Sequence, residues 1–68
     1  MIKIGKIYRH YKGGIYKVLV LATNSETQEE MVVYEDINFP NKTWVRPVKM
    51  FLENVVVNGE SIPRFKSE

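Results

Sequence analysis

A chain of 68 residues holds one small domain, hiding only about 60% of its unfolded surface, so marginal stability is expected. The apolar fraction of 44% and the charged fraction of 26% suit a folded protein and are too balanced for disorder. Zero cysteines exclude disulfides and thiolate chemistry, a single histidine excludes a histidine-cluster metal centre, and a net charge of +2 does not by itself imply a polyanion partner. The longest apolar run, Val18 to Ala22, is far shorter than the ~20 residues of a membrane span. Met1 to Lys6 lacks the apolar stretch of a signal peptide. The expectation is therefore one cytoplasmic β domain over residues 1–68, with no cofactor, no metal and no membrane association.

The elements run as a β-meander. Ile7 to Tyr11 reads as a first strand, stopped by Lys12-Gly13-Gly14, whose glycines permit the positive φ of a tight turn. Ile15 to Ala22 is the strongest strand, with Tyr16, Val18, Val20 and Ala22 on one period-2 face. Its other face is mixed, which suggests a curled sheet rather than a flat one. Thr23 to Glu29 is a polar turn, and Met31 to Glu35 a third strand rich in β-formers. Phe39-Pro40-Asn41-Lys42 is loop, and Thr43 to Arg46 a short fourth strand closed by Pro47. Pro47 to Glu53 is the one helical candidate, with Val48, Phe51 and Leu52 on one face. Asn54 to Val57, Asn58-Gly59, then Ser61 to Phe65 form a closing hairpin, since Asn-Gly is the strongest two-residue hairpin signal. The fold class is all-β: a small antiparallel SH3-like barrel of five or six strands, or a strongly bent sheet. Its expected core is Tyr16, Val18, Val20, Val33, Phe51 and Leu52.

Charge is unevenly spread. Residues 1–21 carry Lys3, Lys6, Arg9, Lys12 and Lys17 and no acid, whereas residues 22–36 carry Glu26, Glu29, Glu30, Glu35 and Asp36 and no base. Either a basic face attracts phosphates, or a basic and an acidic strand pair across the ladder.

Tyr8-Arg9-His10-Tyr11-Lys12-Gly13 with Tyr16 and Val18, then Ser25-Glu26-Thr27 with Val32-Val33-Tyr34, then Trp44-Val45-Arg46-Pro47 with Met50-Phe51 and the late Pro63-Arg64-Phe65, carry a family resemblance. Over residues 5–65 the chain resembles a family of short bacterial domains of unknown function. Gln28 stands where that family usually has glycine, so the turn there is expected to differ. Glu35-Asp36-Ile37-Asn38 replaces a more neutral, aromatic-containing segment. The resemblance implies a mostly β stand-alone domain and carries over no activity, cofactor or partner.

Phosphate-loop, dinucleotide, zincin and nucleophile-elbow signatures are absent. His10 is the only side chain that titrates unaided near neutrality. It can be a general base with Glu35 or Asp36 as orienting carboxylate, a donor in a binding cleft, or a half-buried residue bonded to a backbone carbonyl. Aromatics interleaved with bases are the better lead. Trp44 and Arg46 project from one face of a strand, a platform for stacking a base and gripping its phosphate. The candidate binding site is Arg9, His10, Tyr11, Trp44 and Arg46, where the first strand, the 38–42 loop and the fourth strand meet. The expected function is a non-catalytic binding module for single-stranded nucleic acid or another anionic ligand. The alternatives are a protein-interaction module using an exposed strand edge and a small enzyme centred on His10. Monomer and homodimer are equally compatible with the sequence.

Overall fold

The computed structural model describes residues 2–68. Its elements are β1 (Ile7–His10), β2 (Ile15–Thr23), β3 (Glu30–Asp36), β4 (Thr43–Pro47), α1 (Val48–Phe51), β5 (Asn54–Val57), β6 (Glu60–Pro63) and β7 (Phe65–Ser67). Five strands form one antiparallel sheet in the order β4-β3-β2-β1-β7, and β5 and β6 form a separate two-stranded ribbon. The all-β class holds in its bent-sheet form; no closed barrel forms among the described residues.

The β5–β6 turn follows the sequence closely. Val57 pairs with Glu60, leaving Asn58 (φ 50°) and Gly59 (φ 81°) as the two loop residues. Positive φ at both positions is the twist-matched geometry that Asn-Gly supplies.

The final strand is where expectation and structure part. Residues 61–65 are two strands with a corner between them, not one. The Arg64 N–H donates to Glu53 O (3.0 Å), while Arg64 O accepts from Tyr11 N–H (2.9 Å). The chain thus leaves β5 and joins β1 at this residue, just after Pro63, which has no N–H for a ladder. Pro47 also differs from expectation. It pairs with Met31 at the end of β4, and the helix starts one residue later.

A β-bulge reorganises the core. Val18 pairs with Tyr34 but Val20 pairs with Val33, so Leu19 is an extra residue in β2. Beyond it the faces exchange: Leu21 lies opposite Val32 on the inner face, and Val20 opposite Val33 on the outer. Val18 is 1% exposed and Val32 fully buried, whereas Val20 is 44% exposed. Val20 is therefore no core residue, and Val33 is only half-buried. Leu52, 54% exposed, is likewise outside the core, because the helix is a single turn that turns Phe51 and, less deeply, Val48 inward. The core is Ile2, Tyr8, Val18, Val32, Tyr34, Phe51 and Phe65, with Tyr16 and Val48 packed against it. Ile2 enters because the N-terminal segment bonds β2 beside the bulge: Gly5 N–H donates to Val18 O, and Val18 N–H to Lys6 O.

Among the described residues no helix is long and apolar enough to cross a membrane. Among the described residues the basic and acidic segments form no ion pair with each other. Lys17 sits opposite Glu35, but the ion pairs of the described residues are Arg9–Glu68 (3.3 Å) and Arg64–Glu53 (3.2 Å).

Candidate functional site

The inner face of the sheet grades from an aromatic core into a cleft. Phe51 stacks on Phe65 with centroids 4.0 Å apart and planes 4° from parallel. Tyr34 meets both rings edge-on, at 5.3 and 5.5 Å. Tyr16 packs edge-on against Tyr34 (5.4 Å) and Phe65 (5.8 Å), and His10 against Phe65 (4.9 Å). Beyond these rings opens a cleft of about 180 Å³ lined by His10, Tyr16, Tyr34, Trp44, Arg46 and Phe65. That is room for roughly six waters, at about 30 Å³ each, and so for one ring or one small anion. His10 and Trp44 stand on strands separated by β2 and β3. In a flat sheet three strand spacings would hold them about 14 Å apart; curvature and long side chains bring them to one cleft.

Arg46 is held by a neutral partner. Its Nε donates to the Tyr34 hydroxyl at 3.2 Å, and it takes part in neither ion pair of the described residues. Trp44 lies opposite Tyr34 on β4 and is 46% exposed. The cation held over an aromatic ring is Lys12, with Nζ 5.7 Å from the Tyr11 centroid, and not Arg46 over Trp44.

His10 bonds the backbone, but not as a donor to a carbonyl. Its Nδ1 accepts the Lys12 N–H at 3.1 Å, so the neutral ring carries its proton on Nε2. Burial holds its pKa below 6.5, reinforced by the positive charges of Arg64, Arg46 and Lys12. Burial raises the Tyr16 hydroxyl pKa, with Asp36 and Tyr34 adding to the shift and Arg46 opposing it, so the phenol remains a donor. Asp36 does not orient His10. Its carboxylate accepts the N–H groups of Asn38 (2.9 Å) and Phe39 (3.3 Å) and shapes its own turn.

Of the five residues singled out in the sequence, His10, Trp44 and Arg46 meet in this cleft. Arg9 and Tyr11 do not line it. Arg9 sits on the opposite face of β1, across from Ile15 and Lys66, and pairs with Glu68. The 38–42 loop contributes nothing to the lining. Tyr16, Tyr34 and Phe65 were not anticipated as site residues. Tyr34 was within reach, because a β3–β4 hairpin centred on Phe39 places it opposite Trp44. Tyr16 and Phe65 carried no such signal, since their placement follows the sheet's curvature and the corner at Arg64.

The profile of a family described as a protein of unknown function, DUF1653, matches residues 6–67. The chain belongs to the DUF1653 family. A crystal structure of a DUF1653 protein from Bordetella bronchiseptica is similar throughout, with a TM-score of 0.79 and 35% identity over 96% of this chain and 85% of that one. No curated protein matches the chain. The family description names no activity, so the chemistry of this DUF1653 domain rests on its own side chains. In the turn before β3, Gln28 adopts φ 66°, a left-handed conformation that glycine reaches without a Cβ penalty.

Proposed function

We propose that the domain is a non-catalytic binding module for single-stranded nucleic acid, with a base against Trp44 and its phosphate beside Arg46. The observation that carries this reading is a half-exposed tryptophan sharing a cleft with an arginine whose bonded partner is a neutral phenol. Stacking on an aromatic face is worth roughly 1–3 kcal/mol per base and tolerates any base. A guanidinium without a carboxylate partner retains its phosphate-gripping fork. The positive charges of Arg64, Arg46 and Lys12 all act on His10. The non-catalytic part of the reading is supported by His10 itself, whose Nδ1 is engaged by a backbone N–H rather than by an orienting carboxylate.

A protein segment added to the free edge of β4 is the second reading, favoured by the 61% exposure of Val45 there. Salt separates the two, because phosphate contacts weaken steeply with ionic strength and strand addition much less. The test is an amide correlation spectrum of labelled protein titrated with mixed-sequence single-stranded RNA at low salt. Saturable shifts of the Trp44 indole and of Arg46, reversed by salt, are expected. An unmoved Trp44 indole at high-micromolar RNA overturns the nucleic-acid reading.

A further inference from the structure

The cleft beside Trp44 is lined by no carboxylate and no side-chain amide, and every polar side chain in its wall can donate a hydrogen bond. Arg46 uses its Nε on the Tyr34 hydroxyl, which leaves both terminal guanidinium nitrogens unpaired among the described residues. Tyr34, accepting that bond, keeps its own hydroxyl proton to donate. The Tyr16 hydroxyl makes no hydrogen bond among the described residues. We propose that this cleft holds the terminal phosphate monoester of a single strand, and not a phosphodiester within the strand. The inference rests on the nucleic-acid reading above and adds to it which phosphate is bound.

Acceptor number, size and setting all favour the terminal group. A phosphate monoester presents three free oxygens and about −1.5 to −2 of charge, whereas an internal diester has two free oxygens and a single charge. The guanidinium fork of Arg46 engages two of the oxygens. The Tyr16 and Tyr34 hydroxyls answer the third, the one that a diester has committed to its chain. The volume of about 180 Å³ takes one phosphate group and not a phosphate with a nucleoside on either side. Tyr34 and Phe65, both buried, close the bottom of the cleft, while the half-exposed Trp44 stands at its rim. A terminal phosphate needs one way out, past Trp44, where its own base stacks; a diester needs two. Asp36, the carboxylate that acts on Tyr16, is tied to the N–H groups of Asn38 and Phe39 and lies outside the lining, so no acid competes for the donors within the cleft.

The experiment titrates the labelled 68-residue chain at low salt with short single-stranded RNAs of one sequence. One has hydroxyls at both ends, and two carry a phosphate at the 5′ or at the 3′ end. A fourth, hydroxyl-ended and longer by two nucleotides, has nearly the total charge of the phosphorylated strands and controls for electrostatics alone. One phosphorylated strand should bind about ten-fold tighter than both hydroxyl-ended strands, as one added charge-assisted hydrogen bond provides. Its titration should shift the Trp44 indole, Arg46 and Tyr16. Tyr16→Phe, which costs the fold no hydrogen bond of the described residues, should reduce that preference several-fold; a preference that survives it undiminished overturns the assignment. Equal affinity of the phosphorylated strands and the charge-matched strand, with the indole shifted by all of them, overturns the terminal phosphate and leaves the nucleic-acid reading standing. Inorganic phosphate binding as tightly as the phosphorylated strand would show that the strand contributes nothing, and overturns both. An indole unmoved by every strand also overturns both.

Discussion

Val18→Ala and Val20→Ala form a matched pair that tests the bulge in β2. Strict alternation puts both side chains on one face, so their truncation costs would be similar. The structure puts Val18 at 1% exposure between Tyr34 and the N-terminal segment, and Val20 at 44% on the outer face. Each substitution removes the equivalent of two methylenes, about 1.6 kcal/mol when fully buried. At Val18 a cavity contribution of about 1 kcal/mol adds to this, giving about 2.5 kcal/mol. At Val20 roughly half the transfer energy applies and solvent fills the space, giving about 0.8 kcal/mol. Both variants lose the same β-branched preference, so that contribution cancels in the comparison. A domain of this length has about 3–10 kcal/mol of stability, so both variants should remain folded enough to measure. At about 4–8 °C per kcal/mol, Val18→Ala should melt about 7–14 °C below Val20→Ala. Thermal and urea unfolding followed by circular dichroism would show it. Equal losses, or a larger loss at Val20, refute the bulged register.

Three further outcomes follow from the structure. Because the folded pKa of His10 lies below 6.5, the unfolded chain takes up the proton first as pH falls. Stability is thus full above pH 6.5 and declines below it towards the folded pKa; His10→Gln should flatten this segment in urea midpoints, and a parent stabilised by mild acidification would contradict it. At Gly14 an added Cβ would lie 2.7 Å from Tyr16 Cε2 and 2.8 Å from its hydroxyl, so Gly14→Ala must displace that ring. A cost of about 1–3 kcal/mol is expected, with Tyr16 and His10 ring signals shifted, and unmoved rings would refute the contact. Gln28→Gly relieves a left-handed conformation worth about 1–2 kcal/mol, offset by glycine's unfolded-state entropy of about 0.5–1 kcal/mol. A net gain of about 0.5 kcal/mol is expected, and any loss in the urea midpoint counts against it.

What the sequence determined by itself is the local structure. Turn chemistry is short-range: Asn58-Gly59 and Gly13 reach positive φ because their own backbones permit it, and both turns stand where the residues call for them. The strand starts at Ile7, Ile15, Thr43 and Asn54 were legible for the same reason, as was the helical turn after Pro47. Trp44 and Arg46 share a face simply because strand side chains alternate. Only the tertiary structure decided which faces are buried. The extra residue at Leu19 exchanges inside and outside halfway along β2, and no single-strand pattern can show it because it exists only relative to β3. The corner at Arg64 arises from two partners, β5 and β1, that are remote in sequence. The bulge placed Val20 outside the core, and the bonds of the N-terminal segment to β2 drew Ile2 in. The cleft itself, with side chains from five strands around one small volume, exists only because the sheet bends.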